Sequence, residues 1–147
     1  IDFGHLAILS LMEMDSEVIE TRVVKLQVKD NIFIVRYKDN VVADIDEVKE
    51  IYRIHNELSK GRVMRVMLNM GKYTTLTKEA REYAQDVKIP AVAEAMVVSN
   101  LAQRLFVNFY TMFRKIDNPL KVFKTEAEAF KFLAQHPMPV EEESAES

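Results

Sequence analysis

RVMRVMLNM (62–70), GKYTTLTKEAREYAQDVKIP (71–90) and AVAEAMVV (91–98) make up the stretch on which the fold turns. The outer pieces are nearly continuous apolar runs of strand length, bounded by turn residues. Between them Gly71 to Thr77 is a short connection, after which Leu76, Ala80, Tyr83, Ala84 and Val87 recur as one helical stripe over Lys78 to Val87. Two apolar strands joined by a helical crossover are a parallel βαβ unit buried on both faces.

Upstream, Gly61 stops a helix whose apolar face is Val48, Ile51, Tyr52, His55 and Leu58, and Asp44 with Glu47 suits a variant capping box at its start. Ahead of that helix, Val24 to Lys29 alternates with period two, Asp30 and Asn31 read as a tight turn, and Ile32 to Tyr37 is a β-branched and aromatic run. These predict an antiparallel hairpin. Downstream, Asn100 and Gln103 open the longest helix, with a stripe of Ala102, Leu105, Phe106, Phe109, Phe113 and Ile116 flanked by Tyr110 and Met112. Leu120 to Phe123 is a short last strand, and Thr125 with Glu128 caps a final helix through His136. The apolar residues of that helix are Ala127, Ala129, Phe130, Leu133 and Ala134.

The expected fold class is α/β: a mostly parallel five-stranded sheet in the order 1-2-3-4-5, with an N-terminal antiparallel hairpin and then sequential βα units. Right-handed crossovers that always add the next strand on the same side set the helices mainly on one face. Residues 62–70 are apolar on both sides, with Val63 and Met67 on one and Met64, Val66, Leu68 and Met70 on the other. Something must cover the second face, either the N-terminal arm or a second subunit, and a homodimer is the expectation. Arg65 and Glu94, the charges well inside the two central strands, are expected to pair or to lie at a solvated edge.

A chain of 147 residues suits one domain with a true core. Residues 18–136 are expected to form it, and 137–147, acidic and polar, to be a disordered tail. The sequence opens on Ile1, while Met14 followed by Asp15 and Ser16 would make an ordinary native beginning. Residues 1–17 are therefore read as an arm, either not native or packing on its own or a neighbouring subunit. Its apolar segment, Leu6 to Met12, lacks the basic flank and cleavage site of a secretory signal.

Composition excludes several classes of function. A formal charge of −3 offers no electrostatic reason for nucleic acid, and no apolar run approaches the roughly 20 residues of a membrane helix. The absence of Cys rules out disulfides, thiolate zinc sites and a cysteine nucleophile, and suits a cytoplasmic protein. With 3 His, 3 Gly and no carboxylate pair spaced on an apolar face, no catalytic constellation, metal site or cofactor is expected. His55, on an apolar helix face without a second His at ligand spacing, reads as a packed core-edge residue.

The strand, loop and helix of VMRVMLNMGKYTTLTKEAREYA, the strand entering a capped helix in AMVVSNLAQRLFVNFY, and the closing KVFKTEAEAFKFLAQH together resemble the SpoIIAA-like superfamily. These are the STAS domains, named for sulfate transporters and anti-sigma-factor antagonists, in a branch of small stand-alone bacterial proteins; the resemblance covers about Glu20 to Gln135. It implies a regulatory or protein-interaction domain without enzyme activity. In antagonists of that kind a Ser or Thr before the helix after the third main strand is phosphorylated by a partner kinase. The matching positions are Thr74, Thr75 and Thr77, although no Asp precedes them and Gly71 lies before and not after; capping of the helix by Thr75 or Thr77 is the plainer reading.

An alternative is a binder of a small apolar or lipid-like ligand. Met64, Met67, Met70, Phe106, Phe109, Tyr110 and Phe113 are the adaptable and aromatic residues such a pocket, or an interface, would use. A connected pocket of a few hundred Å³ would favour the binder, and a filled core with an apolar exposed face the interaction module.

Overall fold

Asp30 and Asn31 both take positive φ, 54° and 59°, the backbone that a two-residue hairpin turn requires. Around them β2 (Val24–Lys29) and β3 (Ile32–Tyr37) pair antiparallel, Lys29 opposite Ile32. The structure, a computed structural model, describes residues 15–105 and 118–138. Before the hairpin lies β1 (Ile19–Glu20). After it come β4 (Val42–Ala43), α1 (Ile45–Ser59), β5 (Met64–Asn69), β6 (Thr75–Leu76), α2 (Lys78–Asp86) and β7 (Ala91–Val97). A helix α3, described over 101–105, then β8 (Leu120–Phe123) and α4 (Glu126–Ala134) complete the order.

The main sheet runs β1-β2-β3-β5-β7-β8, with β3, β5, β7 and β8 parallel. It is the expected α/β sheet with its N-terminal hairpin, extended by the short edge strand β1. One feature is new: β4 and β6 form a second, two-stranded parallel sheet, Val42 beside Thr75 and Ala43 beside Leu76. Strands of two residues carry no periodicity, so the segments read only as connections. The expected capping box of α1 closes, Glu47 N–H donating to Asp44 Oδ1 at 2.9 Å and Asp44 N–H to Glu47 Oε1 at 3.1 Å.

The helices do not share one face. Val24, Leu26, Val28, Phe33, Val35, Met64 and Val66 form one core with Ile51 and Ile54 of α1. Ile32, Ile34, Met67, Ala93, Ala95 and Val97 form another with Ala129, Phe132 and Leu133 of α4. Crossover handedness constrains a helix only when it joins two parallel strands. No described strand follows α4, so it is able to fold back over the second face. That removes the premise on which the homodimer was expected, because the second face of β5 is already covered. The buried residues of α4 are Ala129, Phe132 and Leu133, while Ala127 and Ala134 are exposed. Its stripe is therefore turned relative to the expected one.

Arg65 and Glu94 do not pair with each other. The β5–β7 register jumps from Met64 beside Ala91 to Val66 beside Glu94, which places one extra residue in β7, a β-bulge. Without it Glu94 would fall beside Met67 and share a face with Arg65. A shift of one residue sends a side chain through the sheet. Arg65 stays on the α4 side, donating to the Leu133 carbonyl at 3.0 Å and the Asp30 carbonyl at 2.6 Å. A guanidinium at the end of α4 suits the negative end of the helix dipole.

His55 is 4% exposed, its ring set edge-on to Phe33 at 4.8 Å between centroids. Its Nε2 is buried without a partner, and desolvation holds its pKa below the ordinary 6.5. As pH falls below that value the unfolded chain takes up a proton that the folded chain resists, so stability present above about pH 6.5 is lost on acidification. Chemical denaturation between about pH 7.5 and pH 5 is expected to show this decline, and His55→Leu to flatten it.

Candidate functional site

Beneath α1 and α2 the sheet face is not filled throughout. A cavity of about 450 Å³ opens there, walled by Val35 and Tyr37 of β3, Val48, Ile51 and Tyr52 of α1, Val66 and Leu68 of β5, and Met96 of β7. Met70, Thr74, Thr75 and Leu76 close one side, Arg81, Ala84, Lys88 and Ile89 another, and Ala102 with Gln103 the entrance of α3. Several of these are at or beyond the carboxyl ends of parallel strands, where open α/β sheets commonly bind ligands.

The cavity explains why α2 buries less than its stripe predicts. Ala80 is its buried residue, whereas Leu76 and Ala84 line open space. A stripe at helical spacing says that a face is apolar, and it does not say that the space opposite is occupied.

Polar groups enter this apolar wall at a few points. Glu94 is 9% exposed and is turned to the cavity by the bulge. Arg81 is tied to the Leu76 carbonyl at 2.8 Å. Gln103 donates from Nε2 to the carbonyls of Gly71 at 2.9 Å and Thr74 at 3.2 Å. Those two bonds fix which way the amide faces and leave its Oε1 buried with no hydrogen-bond partner. A buried acceptor without a donor costs about 1–3 kcal/mol. Burial pushes the Tyr37 phenol well above its ordinary pKa, with Tyr52 and Glu47 adding to the effect.

The residues picked from sequence are dispersed. Met70 lines the cavity, Met64 is fully buried in the core under α1, and Met67 lies in the core on the α4 side. Phe106, Phe109, Tyr110 and Phe113 fall outside the described residues. Thr74 is 3% exposed and donates its hydroxyl to the Lys38 carbonyl at 2.5 Å. Thr75 is exposed in β6, and Thr77 is the N-cap of α2, accepting from Ala80 N–H at 3.2 Å. Sequence reasoning missed Glu94, Tyr52, Leu76 and Gln103 as cavity residues. Glu94 did carry a signal, being the charge inside the otherwise apolar AVAEAMVV.

A second cleft, about 360 Å³, lies at the carboxyl ends of β3, β5 and β7 among Arg36, Asp39, Asn69, Lys72, Lys124 and Glu126. Its central charges satisfy one another. Arg36 clamps Glu126 through two bonds at 2.9 and 3.0 Å, and Asn69 donates to the same carboxylate at 2.5 Å. Those bonds hold the Glu126 carboxyl below its ordinary pKa. Among the described residues no cluster of three or more His, Asp or Glu could hold a metal ion, and no helix is long and apolar enough to cross a membrane.

Comparison with known proteins locates the fold. No curated protein matches the chain. A solved structure of an uncharacterized DUF3478-family protein with a SpoIIAA-like fold, from Shewanella loihica PV-4, superposes with a TM-score of 0.51. The two share 8% sequence identity over 80% of this chain and 90% of that one. The SpoIIAA-like fold expected from the sequence is therefore the fold observed. The profile of the Domain of unknown function (DUF7793) matches residues 26–137, and the chain belongs to that family.

Proposed function

We propose that this DUF7793 member is a binding protein for a small, largely apolar ligand held in the cavity between α1, α2 and the sheet. One observation carries the reading: a connected space of about 450 Å³ between α1, α2 and the sheet, apolar in its walls and furnished with a few polar groups. Ligand sites have this size and make-up. Filling the space tests it. Ala84→Trp, projecting from α2, is expected to abolish a small molecule retained by the wild type in native mass spectrometry, while Tm stays level or rises. Wild-type protein purified from its native cell without any retained mass, together with failure to take up apolar probes, would end the proposal.

A regulatory or protein-interaction role has a separate support. Tyr73, Leu101 and Leu105 are 68%, 69% and 60% exposed, and Gln103 ties α3 to the loop on either side of Tyr73. A partner reading the occupied cavity would meet these side chains. With the sheet face covered by α4, this surface is also a candidate contact for a homodimer. Sedimentation of the wild type and of Leu101→Glu distinguishes a dimer from a monomer.

A further inference from the structure

We infer, resting on the cavity reading, that Gln103 is a releasable latch: its amide holds the first turn of α3 against the loop 71–74, and its release opens the path by which ligand enters and leaves. Two walls of the cavity that are distant in the chain meet at this side chain. Ala102 and Gln103 belong to one and Thr74 and Thr75 to the other, and Gln103 Nε2 spans them by donating to the carbonyls of Gly71 and Thr74.

The loop is the fixed side. Thr74 donates its hydroxyl to the Lys38 carbonyl, Asn40 N–H bonds to the Lys72 carbonyl and Lys72 N–H to Asp39, so the loop is tied to the one after β3. Tyr73 at its centre takes φ 59°, an outlier for a bulky residue that persists only where the surroundings hold it. The first turn of α3 is the moving side. Leu101, Ala102 and Leu105 are exposed and Gln103 and Arg104 half-buried, so no side chain over 101–105 is fully buried. A segment with so little buried surface opens at low cost.

The latch holds less tightly than its two bonds suggest. With both Nε2 hydrogens given to carbonyls, Oε1 is left buried and without a partner. Swinging α3 outward gives that oxygen to water, so part of what the two bonds contribute is offset by a cost that opening removes. What remains is roughly one hydrogen bond in favour of closure, enough to keep the walls together and little enough to release them.

Exchange rates test this, because a latch closed both before and after binding gates entry and exit alike. N-phenylnaphthalen-1-amine, an uncharged apolar dye that brightens on leaving water, is the probe for stopped-flow fluorescence with the full chain. Gln103→Met removes both bonds, and Gln103→Glu, nearly isosteric, sets a carboxylate with no hydrogen to donate against two carbonyls. In each variant association and dissociation are both expected to quicken about fivefold, the worth of one hydrogen bond, with Kd within about twofold of the wild type. Should one variant fail to fold, the other carries the test. Rates unchanged from the wild type would overturn the inference and leave the cavity reading standing, as would faster dissociation with association unaltered, which would make Gln103 a wall contact and no latch. If the wild type does not take up the dye, or Ala84→Trp takes it up undiminished, the cavity reading itself fails and this inference falls with it.

Discussion

Gly71→Ala is expected to destabilise the protein by about 3 kcal/mol, lowering Tm by roughly 10 °C, and to weaken ligand binding in the cavity. A Cβ at this position would overlap the backbone carbonyl of Lys38 and the Thr74 hydroxyl. Neither can easily withdraw. Thr74 donates to that same Lys38 carbonyl, Lys38 N–H bonds to Val23, Asn40 N–H to Lys72, and Lys72 N–H to Asp39. These bonds lash the loop after β3 to the loop after β5, and the second loop lines the cavity through Thr74 and Thr75. Relief of the overlap must therefore separate the loops. Thermal unfolding reads the cost, and a Tm within about 2 °C of the wild type would mean that the two loops part without loss.

Phe33→Ala should cost about 3–5 kcal/mol, the range for emptying a fully buried aromatic site. The ring is 0% exposed, under α1 and against His55. Urea denaturation should show the lowered midpoint. The variant has a second signature: part of the wall that dries His55 is gone, so the loss of stability on acidification should shrink as well. Phe33→Leu, which keeps most of the volume, should lose much less. Equal losses in the two variants would show that the site collapses around either side chain.

The main sheet was legible because its signals were long and agreed. RVMRVMLNM and AVAEAMVV are too apolar for edge strands, and the Asp30–Asn31 turn and the Asp44–Glu47 box each specify a local geometry that the structure contains. The β4–β6 pair was not legible, since four residues in two strands offer nothing periodic to read. Nor was the side taken by α4. Handedness governs connections between strands, and whether a terminal helix folds back depends on which apolar face is still open.

The cavity was only half legible. Met70 was picked out as a ligand residue, Thr74 and Thr75 only as a phosphorylation site or helix cap, and the stripe of α2 was seen but taken to be packed. Volume is a difference between what surrounds a space and what fills it, and no sequence pattern reports such a difference directly. The bulge was harder still. AVAEAMVV reads equally well with Glu94 on either face, and a single unpaired residue decides between them. Met64 and Met67 were the easier case, since strand alternation put them on opposite sides and they lie in cores on opposite sides of the sheet.

The position of α4 also bears on how the chain is made. Ile34, Met67, Ala93 and Ala95 rely on Ala129, Phe132 and Leu133 for their cover, yet a ribosome releases those three last among the elements described. Throughout synthesis of β3 to β8 the growing sheet carries an apolar face whose cover among the described elements has not yet been made. Such surfaces are what draw nascent chains into aggregates or onto chaperones. The core on that side is thus completed by the final described helix, and a chain stalled after Phe123 would lack the cover that Ala129, Phe132 and Leu133 supply.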